Sequence, residues 1–346
     1  MRTRLDNGLT VLLEENHAAP VVAFQAWVGV GSADERPEEA GIAHVFEHML
    51  FKGTERRGVG RIAQEVEAAG GDINAWTSHD QTVYHLVLAS RYFDAGLDIL
   101  ADAVQHSSFD PDELAKELKV ILEELKQGED NPARVVTQEL FATAFTKHPY
   151  RRPVIGSART VAKMTREKLL DFFHRWYLPE NLTLVVAGDF QAAQALEKIR
   201  RAFNAKGGRA AAHPEQSEPT QAKPRVSVLK KDVHESRVTI GFHVEGIRAA
   251  DTPALDVASI LLGQGDSSRL NLSVKRNQQL VTDVFAYTYT PKDTGLLVVG
   301  ATLQSADVEK ALRAILAEVY RLAYEDVSAA ELAKARTIIE SDAVYQ

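Results

Sequence analysis

The chain has 346 residues, 45% hydrophobic and 25% charged, which suits a globular protein of about two domains with ample core. A formal charge of -8 disfavours a nucleic-acid partner, and the absence of cysteine excludes disulfides and thiol catalysis. No apolar run approaches the ~20 residues of a membrane span.

The N-terminal MRTRLDNGLTVLL lacks a secretory pattern and enters a strand almost at once, so the expected compartment is the cytoplasm. A preceding signal segment would change that to the periplasm. Strands are expected over about 9–14 and 21–30. The following GVGSADERPEEAG contains glycine but no phosphate-loop lysine, and it reads as a strand end and loop.

Residues 40–54, AGIAHVFEHMLFKGT, form the next element. Ile42 to Phe51 contain neither proline nor glycine, and Gly53 marks a stop. His44 and His48 are four apart, one turn along one helix face. Glu47 borders that face, offset enough to reach a water beside a metal rather than the metal itself. Val45, Phe46, Met49 and Leu50 make the remaining faces apolar, so the helix is expected to be buried, and buried histidines need partners. A solvated histidine pair is the ordinary alternative, and a third ligand would decide between the two.

ERRGVGR, residues 55–61, is expected to be a solvated basic loop that can also steer an acidic peptide. A helix over 59–69, strands over 72–78 and 82–89 and a helix over 91–105 follow. DPDELAKELKVILEELKQGEDNP, residues 110–132, reads as a helix capped by Asp110, with Pro111 in the first position and Asp112 and Glu113 at the positive end. Leu114, Leu118, Ile121, Leu122 and Leu125 form its apolar stripe. Glu117 and Glu124 lie two turns apart beside that stripe, where a carboxylate needs a partner or a metal. Glu123 falls further round and is expected in solvent. Helices over 132–145, 166–176 and 191–202 and a strand over 182–188 complete a first domain, 1–205.

KGGRAAAHPEQSEPTQAKP, residues 206–224, has no periodicity and reads as a linker. The domain pattern then repeats over 225–346. Strands are expected at RVSVLKK, SRVTIGFHV, TDVFAYTYT and GLLVVGATL, with a helix at PALDVASILLG and long helices near 305–324 and 328–343. VASILLGQGDSSRL occupies the place of the histidine helix without His or Glu, so the second domain is expected to be a metal-free sister. The chain ends at ARTIIESDAVYQ inside a helix, and by the internal repeat the second domain is expected to be C-terminally truncated. The expected fold class is α+β, a duplicated two-domain architecture of mostly antiparallel sheets with helices on one face.

An inverted His-x-x-Glu-His followed about 75 residues later by a Glu in VILEE resembles the pitrilysin family of zinc peptidases, which includes insulin-degrading enzyme and the mitochondrial processing peptidases. LDNGLTVLLEEN, GGDINAWTSHDQTVYHLVL, HPYRRPVIGS and WYLPENLTLVVAGDF resemble further landmarks of that family in its order. The likeness runs from residue 5 to the last helix. It implies Zn2+ held by His44, His48 and Glu124, with Glu47 as general base and Glu117 as a second acidic residue of the catalytic site. It implies that Asn74 and Ala75 bind substrate backbone. Two departures, Arg151 in HPYRRP where glycine is common and Thr282 where the family often has Tyr, do not touch the metal, and the resemblance does not carry substrate contacts over to them.

Zinc so held keeps a net positive charge, activates water near neutral pH and polarises a carbonyl, while Glu47 carries the proton. The expected function is therefore a zinc metalloendopeptidase cutting peptides or unfolded segments in a closed chamber. The resemblance implies that the chamber needs a second half: a homodimer mate, an inactive partner or a fused segment. The alternative is a non-catalytic peptide-binding or scaffold partner of a related active subunit, disfavoured by the intact set of four residues. A purely structural zinc site is weaker, because closed sites rarely keep a free Glu beside the metal. His79, near the edge strand, is a lesser candidate for the cleft.

Overall fold

A computed structural model describes residues 1–213 and 217–345; residues 214–216, inside the linker expected at 206–224, lie outside the described residues. The chain divides into two compact units, Met1–Gln127 with Arg152–Gln216, and Gly128–Arg151 with Ser217–Gln346.

The first unit is built on a six-stranded sheet: β1 (Arg2–Arg4), β2 (Thr10–Glu15), β3 (Val21–Val28), β4 (Asp72–Thr77), β5 (Thr82–Ala89) and β6 (Leu182–Gly188). Its order is β1-β2-β6-β3-β5-β4, and every pair is antiparallel except β2 with β6. Alternation decides the faces. Val22, Phe24, Ala26 and Val28 of β3 are buried, with Tyr84, Leu86 and Leu88 of β5 on the same side. Helices cover that side: α1 (Ile42–Met49), α2 (Arg61–Ala68), α3 (Phe93–His106), α4 (Pro111–Glu129), α6 (Ala158–Val161), α7 (Arg166–Trp176) and α8 (Ala192–Ala202). Each fully buried Val, Leu, Phe or Met there contributes roughly 1.5–3 kcal/mol. The opposite face keeps Trp27, Trp76 and His85 half-buried, Trp27 edge-on to Trp76 with ring centroids 5.7 Å apart. β4 is the outermost strand, so one of its sides makes no ladder.

In the second unit α5 (Pro132–Ala144) joins β7 (Ser236–Glu245), β8 (Asp283–Tyr289) and β9 (Thr294–Leu303), an antiparallel sheet in the order β7-β9-β8. α9 (Thr252–Gly263), α10 (Val308–Tyr324) and α11 (Ala329–Tyr345) complete it, with a π-helical stretch at Asn271–Asn277.

Two features differ from the sequence reading. Residues 128–151, read as part of the first domain, group with the second unit: α5 packs on β7, and its Phe141 ring meets Tyr289 edge-on at 5.2 Å. Periodicity identifies a helix but not which sheet will cover it. RVSVLKK, read as a strand, forms none. Val226 and Val228 are 84% and 76% exposed, and β7 stands at the sheet edge with no described strand beyond it. Strand propensity without a partner strand leaves the backbone unpaired.

Candidate metal centre

α1 carries the two histidines, and its start is held from outside. Its N-cap is Gly41 at φ 97°, a left-handed conformation suited to glycine, and a Cβ there would meet the Ile155 carbonyl oxygen at 2.7 Å. Glycine offers no capping side chain. The carboxylate of Glu35 takes that role, accepting the N–H groups of Gly41 and Ala43, each at 2.9 Å. Burial pushes Glu35 up to about 8, against the opposing bonds from Ala43 and Gly41. The helix then buries Ile42, Ala43, Val45, Phe46 and Met49, leaving His44, Glu47 and His48 on the part-exposed side.

α4 begins as expected, with Asp110 Oδ1 accepting the N–H of Asp112 and Glu113 at 2.9 and 3.0 Å. It brings both stripe-side carboxylates to α1, while Glu123 is exposed. Glu124 Oε2 lies 3.7 Å from His44 Nε2 and 3.8 Å from His48 Nε2. Donor atoms of His44, His48 and Glu124 lie within 4.8 Å of one another, the one such group of three found among the described residues. Ligands ~2.0–2.1 Å from a tetrahedral zinc would be ~3.4 Å apart, so the two histidine–Glu124 distances of 3.7 and 3.8 Å are a few tenths of an ångström longer than that ion would set.

Glu117 does not join the three. Its Oε2 is 3.1 Å from His48 Nδ1 and its Oε1 is 2.6 Å from Lys52 Nζ. Burial raises its pKa, but the bonds from Lys52 and His48 outweigh this and hold it below the ordinary value. An ionised Glu117 favours the His48 tautomer with the proton on Nδ1, which leaves the Nε2 lone pair facing Glu124. Lys52 is i+4 from His48, a spacing legible in FKGT but not singled out by the sequence reading.

Glu47 stands within electrostatic reach of His48 and Glu124. Burial pushes its carboxyl above the usual range, opposed by hydrogen bonds from the side chain and backbone of Thr77. Beneath it the hydroxyls of Tyr84 and Tyr177 meet at 2.6 Å. Burial raises both phenols, and the charge of Glu47 adds to this.

Asn74 and Ala75 lie on β4, which packs against α1. Asn74 is exposed, and its Oδ1 accepts the Ala75 N–H at 2.8 Å. That N–H therefore points away from β5, toward the open edge. His79 lies in the turn beyond, its carbonyl accepting the Ala33 N–H at 2.8 Å, and it is outside the metal-ligating group. In the basic loop Arg56 and Arg61 are exposed as expected, but Arg57 is 11% exposed and bonds Asp98, Asp102 and Glu65. Three carboxylates within reach draw it inward.

The model for the insulinase family, peptidase family M16, matches residues 10–158, and the model described as the peptidase M16 inactive domain matches 163–339. A Rickettsia felis protein named as an uncharacterized zinc protease is 31% identical over 348 residues, covering 98% of this chain and 82% of the relative. An Arabidopsis thaliana protein named as a mitochondrial-processing peptidase subunit beta is 31% identical over 351 residues, covering 98% of this chain and 66% of the relative. The crystal structure of a protease from Helicobacter pylori superposes with a TM-score of 0.91 at 28% identity, covering 100% of this chain and 85% of that one.

Proposed function

Because the chain belongs to peptidase family M16, the insulinase family, we propose that it is a zinc metalloendopeptidase acting on peptides or unfolded segments. One observation carries the proposal: the Nε2 atoms of His44 and His48 converge on Glu124 Oε2 while Glu47 stays beside them, outside the ligand set. Zinc bound there would supply Lewis acidity, making water acidic enough to react near neutral pH and polarising the scissile carbonyl.

The chain's own residues do the rest. The Glu47 carboxylate takes a proton from the attacking water and delivers it to the leaving amine nitrogen. Glu117, anchored by Lys52, keeps His48 from turning. The outer edge of β4 receives the substrate as an added strand, paired through backbone at Asn74 and Ala75. The Asn74 side chain must then release the Ala75 N–H.

The second unit, matched by the inactive-domain model over most of its length, is on this reading a metal-free sister of the first. A second two-unit half, from another copy or a related subunit, completes the chamber; the subunit name of the Arabidopsis relative supports this. The same name and the inactive-domain match favour a second reading, a non-catalytic peptide-binding partner. Metal analysis with turnover of a quenched peptide, alone and mixed with a related half, separates the two. The peptidase reading expects one zinc and cleavage that ends with Glu47→Gln. Zinc and peptide binding with no cleavage in any mixture would favour the partner.

A further inference from the structure

Two stretches that the proposed mechanism does not use, GVGSADERPEEAG at 29–41 and RPVIGS at 152–157, interlock where α1 begins. Arg152 Nη2 donates to the carbonyl oxygens of Ser32 and Glu35, at 3.3 and 2.9 Å. The two backbones cross closely at Gly41: Gly156 opposite it has φ 78°, and a Cβ there would strike the Ala40 carbonyl oxygen. The first stretch buries three carboxylates, Asp34, Glu35 and Glu39. Asp34 turns back to the Gly31 N–H, and Glu39 to the Arg36 N–H and the Arg175 guanidinium. Glu35 reaches forward, with one oxygen on the Gly41 N–H and the other on the Ala43 N–H. His44 is the next residue. At the other end of this eight-residue helix Glu117, itself bound to Lys52, bonds the His48 ring. The two histidines are thus fixed from opposite ends of α1, His48 through its own ring and His44 through the backbone before it.

We propose that Glu35, backed by Arg152, is a positioning residue for the metal centre: it fixes the start of α1 so that the His44 ring faces Glu124. This rests on the proposed zinc centre. A helix of eight residues holds itself poorly in water, and its first N–H groups have no partner within the helix. The close crossing demands glycine at the cap, so the capping group has to come from elsewhere in the chain. A carboxylate brings two acceptors and suits the positive end of the helix. An amide brings one acceptor, and its NH2 would face the second N–H.

The test measures zinc affinity, by competition with a chromophoric chelator, in the complete chain as wild type, Glu35→Gln and Glu39→Gln, each well below its melting temperature. Glu39 is as buried as Glu35 and lies in the same loop, but its bonds run to Arg36 and Arg175, so it reports what a loss of loop stability does by itself. Glu35→Gln should bind zinc about 10-fold more weakly, within the range expected when a group behind a ligand is lost. Glu39→Gln should melt lower and bind zinc as wild type does. In crystals of Glu35→Gln, His44 should shift relative to Glu124 while His48 stays on Glu117. If Glu35→Gln does not fold, Arg152→Lys takes its place: it keeps the charge, removes the nitrogen that spans two carbonyls, and should weaken zinc about threefold with the same shift of His44. Wild-type affinity or an unmoved His44 in the folded variant overturns the proposal, as does an equal loss in Glu39→Gln. A wild-type chain that binds no zinc removes the reading of the centre and this one with it.

Discussion

At the scale of single residues, the proposed function assigns ligand, base and orienter to different side chains, and each assignment can be tested alone. His44→Ala, His48→Ala and Glu124→Ala should each release the metal, since two remaining donors hold zinc poorly; metal analysis after gel filtration checks this. Glu47→Gln should keep the metal and the fold and lose at least ~100-fold in kcat, because the amide accepts no proton. Glu117→Gln is the discriminating change. Glu117 has Oε2 on His48 Nδ1 and Oε1 on Lys52; if His48 is a ligand as proposed, the loss of Glu117 should weaken zinc affinity or turnover by ~10–100-fold without abolishing either. Complete zinc loss in Glu117→Gln, with none in Glu124→Ala, would exchange the two roles. Spacing alone put both glutamates beside the α4 stripe; only the packed distances place one toward Nε2 and the other behind Nδ1.

At the scale of elements, β4 and the segment entering the second unit each support a prediction. Ala75→Pro removes an N–H that points away from β5, so the ladder survives while an edge donor is lost. KM should rise severalfold or more, with zinc and melting temperature near wild type; unchanged KM in the folded variant would count against strand addition at this edge. In the second unit Glu218 accepts the N–H groups of Thr146, Lys147 and His148 at 2.8, 2.9 and 3.0 Å, and the Thr146 hydroxyl at 2.7 Å. Burial raises its pKa, but these bonds outweigh it and lower the group from 4.5 to about 2. A depressed folded value means that its stabilisation, roughly 2 kcal/mol after solvent screening, is present above the unfolded pKa and is lost as pH falls from about 4.5 toward 2. Glu218→Gln should therefore melt below wild type at pH 7, with the gap closing near pH 2–3. Most strands and helices, and the capping of α4 by Asp110, were legible because period and cap chemistry are local. Glu35 and the destination of α5 were not: each depends on a partner brought close only by the fold, across six residues of loop for Glu35 and a whole sheet for α5. RVSVLKK failed the other way, a local preference with no neighbour to realise it.

At the scale of the whole molecule, every proposed ligand belongs to one unit. His44, His48 and Glu124 all lie in Met1–Gln127, and none lies in the second unit. Metal that binds only the folded site stabilises by linkage, ~2.7 kcal/mol at a free concentration 100-fold above Kd. That free energy belongs to the unit whose unfolding breaks the site. Chelation should therefore loosen α1 and α4 first. Hydrogen exchange measured with zinc and after chelator treatment should show faster exchange over 42–49 and 117–124, with β7 and β9 of the second unit nearly unchanged. In calorimetry the same treatment should shift one transition and leave the other in place, as expected where units unfold separately. Equal acceleration throughout the chain would mean that the units unfold as one cooperative body. No change over 42–49 in a metal-loaded sample would mean that zinc sits elsewhere, and the reading of the centre would fall with it.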